Sequence, residues 1–128
     1  MDMLLDTHTF LWWLAGNAAL SPTAKAAISD ERNAVFVSAA SAWEITTKHR
    51  SGKLPDVGAI VADLEGAIVN EGFSRLSVTV RHGQVAGALP GPHRDPFDRM
   101  LIAQAMVNSL VLVSNEQPFD VYGVARLW

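Results

Sequence analysis

The stretch HRDPFDRMLIAQA, residues 93–105, places Asp95 and Asp98 three positions apart at the start of an apolar helical pattern. Aspartate followed by proline at the first helical position is a standard helix start. An acid in the first turn also meets the positive end of the helix dipole, worth ~0.3–1 kcal/mol. Capping therefore accounts for Asp95, but less well for Asp98. On a 3.6-residue period, Phe97, Leu101, Ile102, Ala105 and Met106 mark the inward face, while Arg99, Ala103 and Asn108 look elsewhere. Asp98 lies one turn before Ile102 and shares the inward face. A carboxylate there is costly unless a cation or backbone amides satisfy it.

Three more acids stand near predicted strand ends. Asp6 directly follows Met3–Leu5, and Glu116 follows Leu110–Val113 after Ser114 and Asn115. Glu44 sits two turns into the helix behind AVFVS. Each has a plainer role open to it. Asp6 can cap the first helix with Thr7 sharing the task. Glu44 can pair with Lys48 four residues on, worth ~0.2–0.5 kcal/mol. Glu116 can be the first-turn acid of a short helix ending near Phe119.

Four such acids gathered at one rim demand more. Two carboxylates ~4 Å apart repel by roughly 4 kcal/mol at an effective dielectric of about 20. The cluster must take up protons or bind a cation. Oxygen donors without cysteine favour Mg²⁺ or Mn²⁺ over Zn²⁺. His8, His49, His82 and His93 show no zinc-like spacing. Such a site activates water and neutralises charge on a transferring phosphate, with no histidine base or nucleophilic serine. Neither a G-x-S-x-G turn nor a P-loop or dinucleotide glycine pattern is present.

The elements that must position these acids alternate along the chain. Strands are predicted at Met3–Leu5, at residues 34–37, 75–78 and 110–113, and in the closing VARLW. A helix follows the first strand through Phe10, Leu11, Trp13 and Leu14. Ser21 and Pro22 open another, and Ser38 caps the helix carrying Trp43 and Ile45, with Gly52 near its end. Residues 56–70 form a helical pattern, 79–88 a short helix and LPGPHR a loop. Strand–helix alternation of this kind builds a parallel sheet with helices on both faces, whose ligands bind beyond the carboxyl ends of the strands.

The 128 residues suit one domain, here read as 1–128, and a 49% apolar, 18% charged composition is that of a globular chain. No apolar run approaches the ~18 residues needed to span a membrane. The N-terminal acids argue against an export signal. The absence of cysteine excludes disulfides and is compatible with a reducing cytoplasm. A net charge of −3 means that any phosphate contact uses local patches, KHRSGK and HRDPFDR.

LLDTHTFLWWL, VFVSAASAWEI with KHRSGKL, HRDPFDRMLIAQA, and LVLVSNEQPFDVYGV with the final LW, in this order, resemble the PIN-domain family. Within it they resemble the VapC-like toxins of toxin–antitoxin pairs. The resemblance runs from residue 3 to the C-terminus and is weakest over 54–77. It implies a three-layer α/β/α sandwich with a mostly parallel sheet of four or five strands. It also implies a cytoplasmic, Mg²⁺- or Mn²⁺-dependent endoribonuclease that hydrolyses RNA phosphodiesters by metal-activated water, leaving a 5′-phosphate and a 3′-hydroxyl.

The resemblance carries the metal and catalytic acids onto Asp6, Glu44, Asp98 and Glu116. The last is a departure, since the family more often has Asp in the segment matching SNEQPF. It implies supporting roles for Asp95, Thr7, Ser114 and Asn115, and makes Arg94, Arg99, Lys48 and Arg50 candidates for phosphate contact. It further implies a homodimer and a small antitoxin partner. Trp12, Trp13 and Trp43 are expected in core or interface rather than stacked on bases. Trp12 and Trp13 differ by 100° in direction, so one is a candidate for a subunit or antitoxin contact. Competing readings are a PIN-like nuclease acting on DNA or structured nucleic acid, a receiver-like signalling domain and a silent binding module. The receiver needs a lysine at the end of a last strand, where VARLW has none.

Overall fold

A computed structural model describes residues 1–128. The elements are β1 (Asp2–Leu5), α1 (Thr7–Ala15), α2 (Pro22–Ser29), β2 (Ala34–Ser38), α3 (Ala39–Arg50), α4 (Gly58–Ala62), α5 (Leu64–Asn70), β3 (Ser74–Leu76), α6 (Val80–Ala88), α7 (Pro96–Asn108), β4 (Val111–Val113) and β5 (Arg126–Leu127). Short 3₁₀ turns cover Pro55–Val57 and Gln117–Tyr122. The five strands run parallel in the order β3-β2-β1-β4-β5. None of the helices is long and apolar enough to cross a membrane.

The central strands β2, β1 and β4 are largely buried on both faces, which is why they read as short continuous apolar runs. Met3, Leu5, Val35, Val37 and Val113 face one core with Phe10, Ile28 and Ile45 from α1, α2 and α3. Leu4 and Leu112 face the other with Leu101, Ile102 and Phe119. Burying one such side chain is worth about 1.5–3 kcal/mol. Alternation of side chains along each strand feeds both layers, giving helix, sheet and helix in sandwich.

The caps form where the sequence predicts them. Ser21 accepts from Ala24 N at 3.1 Å and Ser38 from Ala40 N at 3.0 Å. Asp95 Oδ1 accepts from Phe97 N and Asp98 N at 2.9 and 3.1 Å. Other expectations need correction. The helical pattern over 56–70 is not one helix. Asp63 leaves helical geometry and caps a new start by accepting from Gly66 N at 2.9 Å, so a 3₁₀ turn, α4 and α5 replace it. The strand predicted at 75–78 is Ser74–Leu76, because pairing with β2 ends at Ser38. On α7, Ala103 is fully buried and Met106 is exposed, the reverse of the expectation. That helix packs against α6 as well as the sheet, so its covered surface is wider than one stripe and rotated from it.

Candidate active site at the carboxyl rim of the sheet

Register places the ends of three strands together. Leu5 lies opposite both Val37 and Val113, so Asp6, Ser38 and Ser114 follow at one rim. Asp6 N extends the pairing by donating to Val113 O at 3.1 Å. Asp6 is buried and caps α1, its Oδ1 accepting from Thr9 N at 2.8 Å. Its Oδ2 takes no hydrogen bond but is not sealed, since Gln104 Oε1 is the only buried side-chain polar atom without a partner. Thr9 is anchored in turn, its hydroxyl donating to Val113 O at 3.0 Å.

Glu44 is 4% exposed, and its carboxylate is satisfied on both sides. Thr7 Oγ1 donates to Oε1 at 2.6 Å and lies 3.0 Å from Ser41 Oγ, while Lys48 Nζ donates to Oε2 at 2.5 Å. Burial works against the Lys48 charge. The Glu44 hydrogen bond, with the charges of Glu44, Asp95 and Asp98, outweighs it and holds the ammonium above its ordinary range. Lys48 is therefore a counter-ion to buried Glu44.

α3 packs against α7, which brings Asp98 and Asp95 into the field of Glu44. Asp98 accepts from His93 Nε2 through Oδ2 at 2.8 Å and remains 26% exposed. Burial pushes its carboxyl from 3.8 up to about 6. The His93 hydrogen bond acts the other way, and the nearby charges of Asp95 and Glu44 add to the rise. A carboxylate raised by burial and like charges is a recurrent mark of functional sites.

The remaining candidates separate. Glu116 is exposed, with its carboxylate outside every hydrogen bond and ion pair, although its amide donates to Ser114 Oγ at 3.0 Å. Asn115 is exposed. Arg50 and Arg94 are exposed and free of ion pairs. Arg99 is a clamp on the backbone: its guanidinium donates to the carbonyls of Ala86, Leu89 and His93. Those bonds take four of its five N–H donors.

Among acids and histidines, no three converge in a ready metal-ligating group. Each buried acid is turned toward its own donor: Glu44 to Lys48 and Thr7, Asp98 to His93, Asp6 to the start of α1. The donor chemistry nonetheless fits a hard divalent cation. The acids at the rim present carboxylate oxygens, and the charges of Asp95 and Glu44 raise the cost of an ionised Asp98, which a cation would relieve.

Beside them lies a hollow of about 450 Å³ between α3, α6 and α7, lined by Ala40, Trp43, Val78, Ala86, Phe97 and Met100. Trp43, expected in core or interface, is 65% exposed in the single chain, its ring edge-on to Phe97 at 4.9 Å. Trp12 and Trp13 flank one core from two sides, against Trp128 and Phe73. Neither points wholly outward. The sequence reading missed His93 as a partner of Asp98. A loop residue five positions upstream has no periodicity to reveal it.

The family model described as PIN domain matches residues 3–124, and the chain belongs to the PIN-domain family. It is similar to Ribonuclease VapC16 of Mycobacterium tuberculosis, 40% identical over 58 residues, covering 45% of this chain and 41% of that protein. The match thus spans less than half of that relative's length. Among solved structures, VapBC2 from Rickettsia felis, bound to a DNA fragment from its promoter, is similar at a TM-score of 0.69 and 12% identity, covering 98% of this chain and 97% of that one. The Mycobacterium tuberculosis toxin VapC20, described as cleaving the sarcin–ricin loop, has a TM-score of 0.69 at 17% identity, covering 96% of each chain. At these identities the two structures speak for the fold.

Proposed function

We propose that this chain is a divalent-metal-dependent endoribonuclease and the toxin of a toxin–antitoxin pair, acting in the cytoplasm on RNA. The observation that supports it most is that Glu44 and Asp98, 54 positions apart, lie near enough for the Glu44 charge to raise the Asp98 carboxyl, at the rim where Asp6 follows β1. The similarity to Ribonuclease VapC16 favours RNA as the substrate. The VapBC2 assembly supports a small antitoxin as partner, and the exposed Trp43 beside an apolar hollow is a surface for it. A homodimer follows from the family resemblance.

Asp6, Glu44 and Asp98 would hold Mg²⁺ or Mn²⁺, with Glu116 as a fourth acid reached through the turn after β4. When bound, such an ion would neutralise phosphate charge and make a bound water easier to deprotonate. The protein's own part is orientation and proton handling. Thr9 N holds Asp6 Oδ1, and Thr7 and Lys48 hold the two oxygens of Glu44. Asp98 releases its own proton near pH 6 and is ionised at neutral pH. Exposed Arg94 and Arg50 are the free guanidinium groups for RNA phosphates.

Cleavage of a mixed RNA pool by the purified chain with Mg²⁺ or Mn²⁺, against EDTA, tests the reading. Asp6→Asn and Asp98→Asn should each abolish cleavage while circular dichroism stays unchanged, since Asn caps α1 as well as Asp does at position 6 and keeps the side-chain shape at position 98. Preserved cleavage in both would overturn the assignment. Glu116→Gln separates a ligand from a bystander: loss equal to that of Asp98→Asn marks a ligand, and wild-type rates mark a bystander.

A further inference from the structure

We propose that His93 is a positioning residue for Asp98 and is itself held by Tyr122, so that the turn after β4 orients a carboxylate on α7. The inference rests on the metal-dependent reading above and assigns a role within the same site.

His93 is pinned independently of Asp98. Its backbone N–H donates to Tyr122 Oη at 3.1 Å, and its carbonyl accepts from Arg99 Nη1 at 2.9 Å. Its ring lies edge-on to Phe119 at 5.5 Å and to Tyr122 at 6.5 Å. Phe119 is fully buried, which makes it a rigid wall. On the other side of Tyr122, Gly91 adopts φ +98°, and a Cβ added there would stand 3.1 Å from Tyr122 Oη. The 90s loop thus closes tightly over this tyrosine, and only glycine meets both demands.

From that fixed ring, Nε2 reaches Asp98 Oδ2 at 2.8 Å. Oδ1 takes no hydrogen bond and is the oxygen left for a ligand. Carboxylates that bind metal are themselves hydrogen-bonded by an outer layer of residues, and losing such a partner typically costs about 10–100-fold in metal affinity or activity. The turn following the acidic Glu116 therefore contributes to the site through Tyr122 and His93, whatever the Glu116 carboxylate does.

The test is Mn²⁺ binding, read from the free-ion signal in electron paramagnetic resonance without RNA, with thermal unfolding of each variant alongside. His93→Ala is expected to weaken Mn²⁺ binding by about 10–100-fold. His93→Gln, whose amide can donate from nearly the same place, should bind close to wild type. Tyr122→Phe should weaken binding in the same direction by a smaller factor with the fold retained. If His93→Ala does not fold, the Gln and Phe variants decide. Wild-type affinity in Tyr122→Phe and His93→Ala, with binding lost in Asp98→Asn, would overturn the positioning role and leave the metal reading standing. No Mn²⁺ uptake by the wild-type chain would overturn the metal reading, and this inference with it.

Discussion

Replacing Asp98 by asparagine should make the protein more stable at neutral pH while it abolishes cleavage. Asparagine keeps the shape, can turn its amide oxygen to where Oδ2 accepts from His93 Nε2, and removes the charge. Burial pushes the Asp98 carboxyl from 3.8 to about 6, with Asp95 and Glu44 adding to the rise against the pull of His93. The sign follows directly. The folded chain keeps this proton to about pH 6, whereas the unfolded chain loses it near pH 4. Below about pH 4 both states are protonated and the group costs nothing. Between about pH 4 and 6 the folded state loses its advantage, and above about pH 6 the whole electrostatic cost is present.

At about 1.4 kcal/mol per pH unit, the distance from 3.8 to about 6 sets a ceiling of about 3 kcal/mol. The 26% exposure of the side chain admits solvent screening, which lowers the expectation to about 1–2 kcal/mol. For a chain of this length that corresponds to a rise in Tm of about 3–8 °C. Urea unfolding of wild type and Asp98→Asn, in EDTA across pH 4–8, measures the difference. It should be near zero at the acid end, open through the window and level off above about pH 7. A variant no more stable than wild type at pH 8, or a gap independent of pH, would refute the account of a strained carboxylate.

Lys48→Met should destabilise the fold by about 1–3 kcal/mol in urea unfolding at pH 7, because Glu44 stays buried with Thr7 as its only side-chain donor. An unchanged midpoint would mean that Glu44 reaches solvent freely. Arg99→Met should cost about 1.5–3 kcal/mol through three backbone carbonyls left without their donor. Arg94→Met should change stability by less than about 0.5 kcal/mol. For RNA affinity the order should reverse once folding is normalised: Arg94→Met weakens binding and flattens its salt dependence. Equal effects of the two arginines on stability would show that the clamp is misassigned.

Local features were legible in the sequence because they depend on neighbours a few bonds away. Ser21, Ser38 and Asp95 cap the helices predicted for them, and the run around Val111–Val113 reads as a buried strand because both faces of this central strand are apolar. Where competing local signals were close in strength, the reading failed. Asp63 offers its carboxylate to Gly66 N and breaks a pattern that hydrophobic periodicity alone carries through to residue 70. Met106 and Ala103 exchanged places because a helix touching both a sheet and α6 has no single buried stripe.

The identity and order of the acids, their places at the ends of strands and starts of helices, and the oxygen-only donor chemistry all reside in the linear chain, since residue type and short-range spacing decide them. Which oxygen meets which partner does not. Lys48 was visible as a neighbour of Glu44, but the Thr7 hydroxyl that completes the pair comes from 37 positions away, and the Tyr122 hydroxyl that holds His93 from 29 positions away. Those contacts exist only after α3 and α7 pack over the rim of a five-stranded parallel sheet. Burial then turns Asp98 from an ordinary acid into one that keeps its proton to about pH 6, through a dielectric and a set of neighbouring charges that no stretch of sequence contains.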